Sequence, residues 1–554
     1  MPRFPTTIPD PRDPLFDYGP DTIPHKFAAF REPQWNAIMQ AVEAIESGTD
    51  AVFVEAPTGT GKTLIGEAVR RLLKLRAYYT CTTIALQEQF ATDFPYARVL
   101  KGRSNYLTES GPLDRMGNPV RSGKWSAITC ADCTAATADE DDCQWCMSKE
   151  SCPFVAAKNA AMLAPLTVLN SAYLLADRHL GDRGLVIADE ADMLEHALMS
   201  HIEIDISPTR MRQMGLRPPA KKTVPSSWLD WAEDAIEVVK AYYETIPKGP
   251  SDVKERIATA ALLAKLRMLA MDLPNGGWVY DGYTRETNWV IFRPVFVSRF
   301  AQKYLWDIGD KWLLMSATIL SPQLMAEDLG MDKAGMSWAY ISVPSNFPIE
   351  NRPVFVVPAA DMAFKNRATA WPKMAEAVEG VVRRHPGERI LVHTVSYDLA
   401  AYLADSLALA PDLHGRNVVT YTRSMDKDQA LADYSRTPGS VLLAPSMDRG
   451  VDLPGDLCRV QVIAKVPYPN LQDKQVHARM HTPGGQAWYR MQAIRKIVQS
   501  TGRGIRSVDD RATTYILDEQ FRTNVWQSDY LFPEWWKESL RWDLKYRELT
   551  REVS

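Results

Sequence analysis

Residues 51–63 read AVFVEAPTGTGKT. A short apolar run leads into a loop of glycine and threonine, and the helix-like EAVRRLLKL of residues 67–75 follows. Strand, glycine loop and helix in that order build a phosphate cradle. Gly59, Thr60 and Gly61 curl the backbone so that successive amide N–H groups converge on an anion, and the helix N-terminus adds partial positive charge. Lys62 then neutralises β- and γ-phosphate charge, and the Thr63 hydroxyl is expected to ligate Mg2+. The ligand indicated is ATP.

Such a cradle works with a second strand that ends in carboxylates, and LVIADEAD at residues 185–192 supplies one. Asp189 is the expected holder of Mg2+ through water, and Glu190 the group that orients and deprotonates the attacking water. Together the two segments describe an ATP hydrolase. Further apolar runs stand at 312–315, 390–393, 441–444, 460–464 and 514–517, separated by helical patterns. Runs this short and continuous are what strands buried on both faces of a parallel sheet look like. They divide into two α/β domains near residues 335–350, where proline and glycine thicken. Ahead of the cradle, Trp35, Ile38, Met39, Val42 and Ile45 recur at helical spacing until Ser47-Gly48.

Composition bounds the rest. At 554 residues the chain holds about three or four domains. With 46% hydrophobic and 24% charged residues it has material for several cores, which excludes disorder of the whole chain. Lys+Arg at 64 against Asp+Glu at 68 gives −4, so no global field draws it onto a polyanion, and a nucleic-acid strand must be met by local positives. Arg98, Lys101, Arg103, Arg121 and Lys124, and the cluster Arg210, Arg212, Arg217, Lys221 and Lys222, are the candidates. No apolar stretch has membrane-helix length and the start lacks a secretory core, so the expectation is a cytoplasmic protein without membrane contact. Seven prolines in the first 24 residues predict an extended arm there.

Five of the seven cysteines, Cys130, Cys133, Cys143, Cys146 and Cys152, fall within 23 residues, where scatter would put about 0.3. The clustering asks for a metal. By spacing alone, the two Cys-x2-Cys pairs suit tetrahedral Zn2+ with Cys152 left over.

Further segments resemble, in order, the motifs of superfamily 2 DNA helicases of the XPD/DinG-like branch. FREPQWN (30–36) is similar to the adenine-reading segment and places Gln34 at the contact. YYTCTTIALQEQF (78–90) resembles the strand and loop that grip a nucleic-acid strand, LLMSATIL (313–320) the Ser-Ala-Thr coupling motif, and VHTVSYDLAAYLADSL (392–407) the opening of the second motor domain. SMDRGVDLPGD (446–456) is similar to the fifth motif, which implies Asp452 as a nucleotide contact. QSTGRGIRSVDDRATTYILDEQF (499–521) is similar to the sixth, which implies Gln499, Arg503 and Arg506 at the interdomain face. Planar arginine forks brought by a second domain stabilise γ-phosphate charge only when the cleft closes. Two positions depart from the pattern: Asp192 stands where the acidic box usually ends in histidine, and Arg449 where an acidic residue is usual.

The resemblance implies an α/β fold of two RecA-like parallel-sheet motor domains, with a small metal-binding insertion and a helical arch insertion in the first. Boundaries read as an extended arm over 1–29, the first motor domain over 30–103, 159–204 and 276–340, the cysteine insertion over 104–158, the arch over 205–275, and the second motor domain with a C-terminal helix over 341–554. It also implies a 4Fe-4S cluster rather than Zn2+, with Cys152-Pro153-Phe154 at the last ligand position. Thr108 stands where the first cysteine is expected, which leaves Cys143, Cys146 and Cys152 with either Cys130 or Cys133. The implied activity is ATP-driven 5′ to 3′ movement of a monomer on single-stranded DNA with unwinding of forked duplex. The alternatives are a translocase that strips proteins or remodels R-loops, and a non-catalytic nucleic-acid-binding subunit of a larger complex.

Overall fold

The computed structural model describes residues 30–107, 130, 152–177, 180–219, 221, 224–247, 252–280, 289–422, 427–446, 453, 455–505 and 510–551. Two seven-stranded, wholly parallel sheets form the centres of two lobes, as the alternation of apolar runs and helices requires. In the first lobe the order is Trp338–Ser342, Ala51–Glu55, Trp312–Ser316, Leu185–Asp189, Ala77–Cys81, Leu166–Asn170 and Arg98–Val99. In the second it is Val418–Thr420, Val441–Ala444, Ile390–His393, Val460–Ile463, Thr513–Asp518, Val354–Ala360 and Leu540–Arg541.

Register decides what the first sheet presents. Glu55 pairs with Ser316, and Met315 with Asp189, so the phosphate loop, the Ser-Ala-Thr segment and the acidic box leave the sheet side by side at its carboxyl edge. That edge is where open α/β sheets bind ligands. The helix Glu32–Glu46 packs Trp35, Ile38, Val42 and Ile45 into the core beside the phosphate-loop helix, Lys62–Leu73. Between the acidic box and Trp312–Ser316 the chain builds a separate layer. Strands Ile204–Ile206, Val290–Pro294 and Trp278–Tyr280 form an antiparallel sheet, and the long helices Pro225–Thr245 and Val253–Asp272 cover a core of Trp228, Trp231, Leu266 and Phe292.

The phosphate-loop helix is held by a buried charge cluster. Glu67 is fully buried and accepts from Arg70 Nε and Nη2, each at 2.7 Å, from Arg71 Nε at 2.7 Å and from the Tyr96 hydroxyl at 2.6 Å. Burial alone would raise the Glu67 pKa, but Arg70 and Arg71 hold it below the usual value. Deleting the carboxylate strands two buried guanidinium groups, so Glu67→Ala is expected to destabilise the first lobe by about 3–5 kcal/mol, read as a lowered denaturant midpoint.

Candidate active site

Gly59 and Gly61 adopt left-handed φ values of 81° and 79°, the curl a phosphate loop needs. Lys62 and Thr63 open the helix that follows, and no side chain caps it, which leaves its first N–H groups facing the loop. Gln34 braces the loop from the preceding helix. Its Nε2 donates to the Thr60 carbonyl at 2.6 Å and its Oε1 accepts from Arg31 N at 2.7 Å. The left-handed φ of Gly61 strains any other residue there, and a Cβ would also stand 2.6 Å from Gln34 Nε2 and push that amide aside.

Across the edge, Asp189 accepts from the Tyr79 hydroxyl at 2.9 Å and from Glu190 N at 3.0 Å. Glu190 itself has φ 55°, a strained conformation for a residue with a side chain and typical of functional positions. Asp192 is buried among donors: Ser316 Oγ at 2.7 Å and Thr318 Oγ1 at 3.2 Å from its own lobe, and Gln499 Nε2 at 2.9 Å from the other. Gln499 Nε2 also lies 2.9 Å from Thr318 Oγ1, and Arg495 Nε donates to the Thr318 carbonyl at 3.2 Å while lying 3.6 Å from Asp192. The aspartate that replaces the usual histidine therefore still contacts the sixth motif, as an acceptor.

The second lobe presents this tract on the helix Gly485–Thr501. Where the helix ends, Gly502 lies against the phosphate loop: a Cβ there would stand 3.4 Å from Thr58 Oγ1. Buried Arg503 follows directly, and Gly504 passes so close to the Cys458 carbonyl that a Cβ would stand 2.4 Å from its oxygen. Arg506, Asp452 and Arg449 lie outside the described residues. Thus Lys62, Thr63, Asp189 and Glu190 share one edge, with Gln34 behind the loop and the Gln499–Arg503 tract laid across it.

Several participants escaped the sequence reading. Glu55, at the end of the first strand, is buried and accepts from Leu320 N and the Tyr340 hydroxyl, both at 2.7 Å; burial pushes its pKa up. Arg495 lies one helical turn before Gln499, a spacing that marks it once Gln499 is placed. Arg479 forms a second seam. Buried between the rings of Trp488 at 4.1 Å and Phe296 at 5.3 Å, it pairs with Glu195 and with Asp328 at 2.5 Å, both of the first lobe. Burial and the Glu195 charge raise Asp328 to about 7. Nothing in the local sequence HARMH signals this role.

In the cysteine window, Cys130 and Cys152 are buried with their sulfurs 3.9 Å apart. The backbone N–H of Phe154, in the first turn of the helix Pro153–Leu163, reaches the Cys130 sulfur, and burial raises the Cys130 pKa. Cys133, Cys143 and Cys146 lie outside the described residues, and among the described residues no three metal-binding side chains converge. Of the cationic candidates, Lys101 pairs with Glu88 at 2.6 Å, and Arg210 donates to Glu255 and Thr259 at 2.9 and 2.8 Å. Among the described residues no helix is long and apolar enough to cross a membrane.

Two parallel-sheet lobes that share a phosphate loop, an acidic box and an arginine tract define a nucleotide-driven motor of the helicase type. Residues 379–539 match the helicase C-terminal domain, and residues 28–122 the domain described as type III restriction enzyme, res subunit. The chain is 22% identical to the ATP-dependent DNA helicase YoaA of Escherichia coli, with 90% of this chain and 93% of that protein aligned. It is 26% identical to the DinG helicase of Photobacterium profundum over 45% of this chain and 37% of that protein. Its fold matches an XPD helicase at TM-score 0.61 with 15% identity, covering 93% and 99% of the two chains, and the Xpd4 structure of S. tokodaii at 0.55 with 15% identity, covering 93% and 100%. The chain thus carries a helicase C-terminal domain and is similar, over most of its length, to ATP-dependent DNA helicases of the XPD/DinG-like type.

Removing the amide of Gln499 breaks its bond to a buried carboxylate, a class of interaction worth about 1.5–3 kcal/mol. Gln499→Leu is therefore expected to lower ATP turnover about ten-fold or more, with nucleotide affinity within about three-fold, checked by steady-state hydrolysis beside fluorescent-nucleotide titration.

Proposed function

We propose that this chain hydrolyses ATP between its lobes to move along single-stranded DNA, 5′ to 3′, and to unwind forked duplex. The observation that carries the reading is the Gln499 amide from one lobe bonded to the acidic box of the other, 2.9 Å from Asp192. Such a bond makes lobe closure and the state of the nucleotide edge interdependent.

In this mechanism the curled backbone of Gly59, Thr60 and Gly61 holds the β-phosphate and Lys62 neutralises the β- and γ-phosphates. Thr63 and Asp189 would hold Mg2+, which supplies charge neutralisation at the γ-phosphate. Their oxygens face one edge and one is a carboxylate, a set that suits the ion. Glu190 takes a proton from the attacking water, and Arg503 with Arg506 meets the charge that spreads over the γ-phosphate oxygens. Gln34 has one amide N–H left to read the adenine edge, and Asp452 completes the nucleotide contacts.

For the DNA strand the second lobe offers a groove of about 930 Å3 at the carboxyl ends of its central strands. Lys465, Arg490 and Lys496 supply positive charge; Tyr468 and Tyr489 stack at 5.1 Å; and Phe364, 86% exposed, stands on its rim. Cations interleaved with aromatic rings are what a single strand binds by backbone and base faces.

Within the cysteine window the first reading is a 4Fe-4S cluster, supported by chain position and by the Cys152-Pro153 match. One observation favours Zn2+ in a different set from the two Cys-x2-Cys pairs, a set that takes in Cys152 beside Cys130. Two sulfurs on one tetrahedral zinc lie about 3.8 Å apart, given Zn–S near 2.3 Å, and Cys130 and Cys152 are separated by 3.9 Å. Thiolates on different irons of a cubane stand farther apart, on the order of 6 Å. Metal analysis of purified protein decides: about four irons with acid-labile sulfide per chain for the cluster, or zinc without sulfide.

Lys62→Ala and Glu190→Gln are each expected to lower strand-stimulated ATP hydrolysis by at least about a hundred-fold and to stop unwinding of a 5′-tailed fork, with the fold retained by circular dichroism. Hydrolysis at the unmodified rate in either variant overturns the site assignment, and preference for a 3′-tailed fork overturns the polarity.

A further inference from the structure

Tyr79 is unused by the mechanism above, yet it touches the machinery at both ends of its ring. It stands in Ala77–Cys81, a strand between Leu185–Asp189 and Leu166–Asn170, and is 1% exposed. Its hydroxyl donates to Asp189 Oδ2 at 2.9 Å, and the Thr63 side chain interacts with that same Tyr79 hydroxyl. One phenol thus joins the two residues assigned to Mg2+. Along one edge the ring lies over Gly66 of the phosphate-loop helix, where a Cβ would stand 3.5 Å from Tyr79 Cε2. The ring also packs against that of Phe90, with centroids 4.3 Å apart and planes tilted by 47°.

Phe90 gives the contact direction. It belongs to the helix Ile84–Asp93, which Thr83 caps by accepting from Leu86 N at 3.3 Å. The loop before this helix, Thr82-Thr83, is the segment assigned to strand gripping, and Ile84 and Leu86 remain exposed beside it. A displacement of the helix when a strand binds has a short packed route, through the Phe90 ring to the Tyr79 ring, to the carboxylate that would hold Mg2+.

We propose that Tyr79 is a positioning residue: it orients Asp189 and Thr63 for the nucleotide-bound metal and passes strand occupancy, through Phe90, to that site. The inference rests on the ATP-driven DNA motor proposed above. A donor behind a metal-ligating carboxylate fixes its orientation, and losing such a partner weakens metal binding by about ten-fold or more.

The test uses the full chain, a fluorescent ATP analogue, a Mg2+ titration and an oligo-dT strand. Tyr79→Phe removes one hydroxyl and keeps the ring. It is expected to raise the Mg2+ concentration at half-maximal nucleotide binding about ten-fold and to abolish the tightening that oligo-dT produces. Phe90→Leu keeps the hydroxyl; it is expected to leave the strand-free Mg2+ midpoint in place and lose the oligo-dT effect. Mn2+ bound with nucleotide, read by electron paramagnetic resonance, follows the same order without any turnover. Coincident Mg2+ midpoints for Tyr79→Phe and the unaltered chain overturn the positioning role, and a full oligo-dT effect in both variants overturns the relay. Failure of the unaltered chain to bind nucleotide would instead strike the ATP site itself, for which Lys62→Ala is the reference.

Discussion

A carboxylate sealed between two lobes sets the terms for this molecule. Asp192 is buried, and an ionised group away from water must be met by donors or its burial is prohibitive. Ser316 and Thr318 supply two from the first lobe, and Gln499, with Arg495 behind it, comes from the second. The set is complete only when the lobes are together. Because Asp192 follows Glu190 by two residues, and Gln499 precedes Arg503 by four, the inter-lobe bond lies beside the groups assigned to phosphoryl transfer.

That junction is mounted on rigid supports. Parallel register brings the phosphate loop, the Ser-Ala-Thr segment and the acidic box to one edge, and glycines at 61, 66 and 504 let neighbouring groups approach where a Cβ would intrude. Glu67 with Arg70, Arg71 and Tyr96 fastens the helix that presents Lys62 and Thr63. Away from the nucleotide edge, Arg479 binds Glu195 and Asp328, so the lobes also meet at a buried ionic seam. Asp328, raised to about 7, carries its full charge there only toward alkaline pH.

Much of the fold was legible because short apolar runs with helices between them can satisfy backbone and side chains in few ways. All seven runs that signalled strands became strands, from Ala51–Glu55 to Thr513–Asp518. Strands such as Trp338–Ser342 and Val354–Ala360 went unmarked although WAYI and VFVV are themselves apolar runs: the first falls in the stretch read as the division between domains, and the second carries Pro358, a residue that argues against a strand interior. In the site, glycine spacing and paired carboxylates identified the phosphate and acid groups by chemistry that depends on neighbours in sequence. Glu55, Tyr79, Arg479 and Arg495 were silent, because each owes its role to partners more than a hundred residues away.

Local order along the chain therefore determined the parts: a strand that runs into a phosphate cradle, a strand that ends in acids, and a glycine–arginine tract. Backbone conformation and short-range charge suffice for these, and both are written in adjacent residues. Tertiary structure alone decided how the parts meet. It turned Asp192 from a departure into the acceptor that joins the lobes, and set a tyrosine hydroxyl behind Asp189. A hydrogen bond acts over about 3 Å, and only folding brings residues 192 and 499 within that distance.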